Sequence, residues 1–328
     1  MRKWIYAGTV LLVVQVVLAV LVHSGREEMA AFTPHANLLD FDPHTVDVVI
    51  VTGEDEKTVR LVREGNYWRF PEDHFGAPAD GKKITDLLEK LGGLKQGLAV
   101  ATTTEAAERF KVAEDAFQRH VVLEAGGKTV ADFYLGTAPS FKKAHARVHD
   151  RNEIVTVELN TYELETDYDR WLDHDLLTVE KDKAVRVRVN DLVLEKKEGK
   201  WILADLAAGE TMQEREADGL VERVCGLTVA GVVDPAEAKG LFDKEPELRL
   251  EVTVGDTTSS WELAKPEGQE YYLLRTKDRP YYLKVNTWVV DAITKTDRQA
   301  LVTKQEEQAG EKTAPAPAAE QPAQEEAE

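Results

Sequence analysis

A chain of 328 residues has room for two ordinary domains, and its 43% hydrophobic and 31% charged residues strike a globular balance. The formal net charge is −19, with Lys and Arg scattered among Asp and Glu, which argues against binding to a nucleic-acid backbone. The single cysteine, Cys225, excludes an internal disulfide and a cysteine-based zinc site, and it lies too far along the chain to be a lipidated N-terminal cysteine.

The first element is an uncharged run from Ile5 to Val22, in which Gln15 is the one strongly polar residue. As a helix it would span roughly 27 Å at about 1.5 Å per residue, close to the hydrocarbon core of a bilayer. Trp4 and Tyr6 suit an interfacial belt, and Arg2 and Lys3 precede the run while Glu27 and Glu28 offset Arg26. The positive-inside rule then keeps the N-terminus in the cytoplasm and exports the rest. A cleaved signal peptide ending near Val22-His23-Ser24 competes, but the run exceeds the usual length of a signal core.

The body reads as a duplication. "LVREGNYWRF" from Leu61 and "LEKKEGKWIL" from Leu194 each lead from leucine through a charged turn with glycine to tryptophan. At an offset of 133, Trp68 falls on Trp201, Leu87 on Leu220, Leu88 on Val221, Leu91 on Val224, Gly93 on Gly226 and Leu94 on Leu227. The glycine itself slips by one place, from Gly65 to Gly199, as a turn of altered shape would allow.

In chain order, "VDVVIV" predicts a strand, followed by a hairpin whose returning strand carries Trp68. Ile84, Leu87, Leu88 and Leu91 then make one apolar helical stripe, with Asp80 as N-cap and Gly92-Gly93 as the stop. "HVVLEA", "TVADFYLG" and "EIVTVEL" predict three further strands. The second copy repeats the plan with "AVRVRV", a hairpin bearing Trp201, and a helix striped by Ala217, Leu220, Val221 and Val224. "LRLEVTVG", "SSWELA", "YYLLR" and "YYLKV" complete it. The expected fold is α+β, strand-rich and antiparallel. Its layout is a transmembrane anchor over 1–23, a linker over 24–43, a first repeat over 44–177, a divergent second repeat over 178–300 and an acidic, disordered tail over 305–328. Trp68 and Trp201 are expected to pack on the helices that follow them.

Chemistry is sparse. None of the four serines, Ser24, Ser140, Ser259 and Ser260, lies in a nucleophile-elbow pattern, and no phosphate-cradling glycine loop is present. His145 and His149 in "AHARVH" stand at a metal-ligand spacing but lack a third ligand, so they read as surface histidines. Asp173-His174-Asp175 reads as a solvated linker, Cys225 as a small buried residue, and the aromatic hairpin "KPEGQEYYLLRTKDRPYY" as strand-face packing. No catalytic, cofactor-binding or metal-binding residue is assigned.

The order of anchor, acidic linker, "LLDFDPHTVDVVIV", charged hairpin ending in tryptophan, and "APADGKKITDLLEKL" resembles a bacterial family defined as a domain of unknown function, DUF4340. "DFYLG" and "EIVTVEL" fit the family's strand-glycine pattern, whereas "WELAK" in the second copy lacks the glycine seen at Gly136. The resemblance implies a periplasmic or otherwise extracytoplasmic protein held at the inner membrane, encoded among gliding-motility-type ABC transporter components. The resulting expectation is a non-enzymatic accessory whose partners are the membrane, through Ile5 to Val22, and ABC-transporter membrane subunits. The alternative is a cell-wall glycan binder using exposed aromatics such as Trp68, Trp201 and Trp261.

Overall fold

A computed structural model describes residues 36–304, together with Gln15. The rest of the expected anchor, the linker up to residue 35 and the tail from Gln305 lie outside the described residues. Among those described, no helix is long and apolar enough to cross a membrane. Two compact units divide them: 36–178, 227–247 and 262–287 in the first, 179–226, 248–261 and 288–304 in the second.

The first unit holds β1 (Val48–Gly53), β2 (Thr58–Glu64), β3 (Tyr67–Arg69), α1 (Gly81–Gly92), α2 (Thr104–Phe110), β4 (Arg119–Ala125), β5 (Lys128–Leu135), β6 (Ala144–Val148) and β7 (Ile154–Val157). These seven strands form one antiparallel sheet in the order β3-β2-β1-β4-β5-β6-β7. Every neighbouring pair is consecutive in sequence except β1 and β4. Register places Val49 opposite both Leu61 and Leu123, and Val51 opposite both Val59 and Val121, so six fully buried aliphatics share one face. Ile84, Leu87, Leu88 and Leu91 of α1 are buried as the stripe requires, and the Asp80 carboxylate accepts from the Lys83 N–H at 2.9 Å. Trp68, on the same sheet face, packs beside the start of α1: a Cβ on Gly81 would sit 3.6 Å from its ring.

The opposite sheet face is covered by a segment the periodicity does not announce. Ala106 and Ala107 of α2, with Val112 and Ala113, pack on Tyr134 and Ile154. Thr103 caps α2 by accepting from the Ala106 N–H at 3.2 Å.

The remaining elements are β8 (Ala184–Val189), β9 (Leu192–Lys197), β10 (Lys200–Leu203), β11 (Glu210–Met212), α3 (Glu214–Cys225), β12 (Gly231–Val233), β13 (Leu248–Val254), β14 (Thr257–Ala264), β15 (Tyr271–Arg275), β16 (Tyr282–Asn286), α4 (Thr287–Thr294), α5 (Arg298–Leu301) and β17 (Val302–Lys304). An eight-stranded sheet runs β10-β9-β8-β13-β14-β15-β16-β12, and β11 pairs with β17. Apart from β12, its order follows the same path as the seven-stranded sheet. In the second unit the buried stripe of α3, Ala217, Leu220, Val221 and Val224, is as expected, and α3 packs against β8, β10 and β13.

The slipped glycine has a backbone cause. Between the paired Glu64 and Tyr67, only Gly65 adopts positive φ (60°), at the first central position of the turn. Between the paired Lys197 and Lys200, both Glu198 (52°) and Gly199 (82°) do so. A II′-like turn takes glycine first, whereas a I′ turn takes it second.

Candidate functional site

The residues singled out by sequence are mostly structural. Trp68, Trp201 and Trp261 are all buried, so none of them can stack on a sugar from solvent, and that version of glycan binding is withdrawn. Cys225 is buried, and burial pushes its thiol up. Asp173 accepts from the Asp175 N–H at 3.0 Å, while His174 Nδ1 donates to the Val229 carbonyl at 2.6 Å, so the two carboxylates and the imidazole do not assemble. Among the described residues, no group of three His, Cys, Asp or Glu side chains could hold a metal.

The surface reading of His145 is corrected. It is 8% exposed, stacked on Phe110 at 4.1 Å, and donates from Nδ1 to the Thr137 carbonyl at 2.8 Å. Polarity alone placed it outside; the cover supplied by α2, 35 positions and more upstream, puts it inside. His149 is half-buried and bonds the Tyr134 hydroxyl at 3.0 Å through Nδ1.

These histidines belong to a polar cluster on the second sheet face. His120 Nε2 meets Asp132 at 2.8 Å, and its ring stacks on Tyr134 at 4.5 Å. Arg147 lies over the Tyr134 ring and donates from Nε to the Val112 carbonyl at 2.7 Å, and from Nη1 to the carbonyls of His149 and Arg151. Burial above all, with Asp132 and Glu114 nearby, pushes the Tyr134 phenol up to about 12. A phenol so raised stays protonated at neutral pH and serves as a hydrogen-bonding group, not as a base. The cluster fastens the cover onto the sheet.

An open concavity of the first unit lies beside α1. One cavity of about 500 Å³ is lined by Lys82, Lys83, Leu87, Lys90, Tyr162 and Trp171, among others. A second, of about 610 Å³, shares Lys90, Tyr162 and Glu163 with it and extends to Phe141, Lys142, Lys143 and Glu158. The shared residues make the two one trough. Its floor is built from long-range pieces: the Asp80 N–H donates to the Trp171 carbonyl at 2.8 Å, and the Trp171 indole donates to the Glu165 carbonyl at 2.9 Å. Lys83 sits 4.7 Å above the Trp171 ring and donates to the Arg170 carbonyl. Lys82 pairs with Asp86, and Lys90 with Glu163. Tyr162 (61% exposed) and Phe141 (82% exposed) stand open beside it.

Glu163 closes the turn after Asn160, accepting from its backbone N–H at 3.0 Å. Burial raises its pKa, but the Lys90 ammonium and the Asn160 donors outweigh this, leaving it below the ordinary 4.5. A depressed folded pKa contributes stability above the unfolded value that is lost as pH falls through the folded one. Glu163→Gln keeps the acceptor and removes the charge, so it is expected to cost about 0.5–1 kcal/mol at pH 7. Urea denaturation across pH should show that gap closing below pH 4.5; a gap independent of pH would contradict the ion pair's role.

Sequence reasoning passed over Phe141, Tyr162 and Trp288. Trp288 is 69% exposed, whereas Trp68, Trp171, Trp201 and Trp261 are buried. A lone aromatic carries no periodic signal, and only the fold separates these from the buried rings.

The architecture defines a strand-rich, antiparallel α+β protein with an open, lysine-lined trough. The chain belongs to a family described as a domain of unknown function, DUF4340, whose model matches residues 68–246, more than half of its length. Comparison with curated proteins finds no match, and comparison with solved structures finds none.

Proposed function

We propose that the protein is a membrane-anchored, extracytoplasmic accessory that docks on a protein partner, an ABC-type export complex of the bacterial inner membrane, and does no covalent chemistry of its own. The observation that carries this reading is the uncharged run Ile5–Val22 ahead of a DUF4340 body. The two sheets with the same strand path support the further reading that the body is a tandem duplication. Exposed Trp288 is suited to anchor a partner, since tryptophan is over-represented among residues that dominate binding energy.

The test is in-cell crosslinking of tagged full-length protein at native expression, read by mass spectrometry. Transporter membrane subunits should be recovered, and lost when Ile5–Val22 is exchanged for an unrelated anchor. Trp288→Ala should lower recovery about tenfold, the equivalent of 1.4 kcal/mol. Recovery of abundant bystanders alone would sink the accessory reading.

A further inference from the structure

The turn Ser140-Phe141-Lys142-Lys143, on the rim of the trough, is closed by the Lys143 N–H donating to the Ser140 carbonyl at 3.1 Å. Its third residue, Lys142, has φ 60°, while Phe141 before it is not in the left-handed region. That is the backbone of a type II turn, whose third position takes glycine or asparagine. Lysine there is strained, because its Cβ crowds the backbone. The residue beside it is a phenylalanine with four-fifths of its surface in solvent. Folding alone favours neither choice, and backbone strain of this kind collects at binding sites.

Around this turn the groups are chemically consistent. Lys142 reaches over the Phe141 ring at 5.5 Å, and neither Lys142 nor Lys143 has a carboxylate partner among the described residues. The second cavity is lined by the exposed Tyr162, with Asn160, Glu158 and Glu163. With Lys90 neutralised by Glu163, Lys142 and Lys143 outnumber the one remaining carboxylate of the cavity, Glu158, and leave a local excess of positive charge in a chain of net charge −19, which favours an anion. Two open ring faces call for flat, CH-rich surfaces, which pyranose rings present. Lysine and glutamate are depleted at the dry cores of protein interfaces, so this lining fits a hydrated polymer better than a protein surface.

We propose that the trough binds an acidic polysaccharide, its sugar faces resting on Phe141 and Tyr162 and its carboxylates on Lys142 and Lys143. This site is independent of the partner proposed above: it lies at other residues and takes another class of ligand.

The probe is a hexuronate oligosaccharide titrated into the full-length chain in mild detergent, with a neutral dextran oligomer and a poly-glutamate peptide as comparators. The hexuronate should bind, weaken as salt is raised, and exceed dextran by at least tenfold. Lys142→Gly suits the turn, so its melting temperature should hold or rise while hexuronate affinity falls about tenfold. Phe141→Ala, at an exposed position, should weaken binding similarly without loss of stability. Absent hexuronate binding, equal binding of dextran, or affinity unmoved by both substitutions would each overturn the proposal. Tighter binding of poly-glutamate, lost in the same variants, would reassign the trough to acidic peptides and overturn it equally.

Discussion

Replacing Gly136 by alanine is expected to destabilise the first unit by more than about 4 kcal/mol, comparable to the whole stability of a marginal domain. The residue follows β5, where the Thr137 N–H donates to the Phe110 carbonyl at 2.9 Å and the Gly136 N–H to the His145 carbonyl at 2.9 Å. A Cβ on Gly136 would lie 2.0 Å from the Phe110 oxygen and 2.4 Å from the Lys111 oxygen. Both are backbone atoms at the end of α2, so no side chain can swing away. Either the bond to Phe110 breaks or the α2 cover lifts from the sheet. The cost is steric alone, because Gly136 does not have positive φ. Gly126 offers the contrast: its φ is 57° and a Cβ there meets nothing within 4 Å, so Gly126→Ala costs only backbone strain, about 1 kcal/mol. Urea denaturation of the two variants should separate them clearly. Equal losses would refute the close-approach account.

Trp171→Ala should cost about 3–5 kcal/mol, the range for truncating a buried aromatic. Trp171 is fully buried at the end of the 3-10 turn Tyr168–Arg170, and its carbonyl holds the N–H of Asp80, the cap of α1. Truncation empties the floor of the trough, leaves the Glu165 carbonyl without its indole donor and frees Lys83 from the ring. Trp171→Phe should recover much of the packing but not the hydrogen bond. Exposed Trp288 should change within about 0.5 kcal/mol on truncation. Thermal unfolding of the three variants checks the order; comparable losses for Trp171→Ala and Trp288→Ala would show that burial does not rank them.

Legibility in the sequence followed locality. The α1 stripe, its Asp80 cap, the strands at Val48–Gly53 and Ala184–Val189, and the burial of Trp68 and Trp201 were all carried by residues within a few positions of one another. The helix α2 was missed although Thr103 caps it, because its seven residues are too few for a period to emerge. Its omission hid the reason for Gly136 and the burial of His145. No such helix lies between α3 and β13, where two 3-10 turns, Pro235–Ala238 and Leu241–Asp243, and β12 stand instead. That accounts for "WELAK" doing without the glycine. The helix α4, sequence TWVVDAIT, was missed because β-branched residues give little helical signal. The trough was invisible for another reason: Lys90, Phe141 and Tyr162 come from three separate stretches and meet only once the sheet is built.

The strand order of the first sheet bears on how the chain reaches its native state. Two meanders, β1-β2-β3 and β4-β5-β6-β7, can each zip through short hairpins with little loss of chain entropy. The single pairing of β1 with β4 must span everything from Glu54 to Gln118, including both helices. Loop closure is thereby concentrated in one late docking event, at which the apolar faces of the two halves meet and the core dries. The most vulnerable moment in the life of this sheet is the interval before that joint shuts.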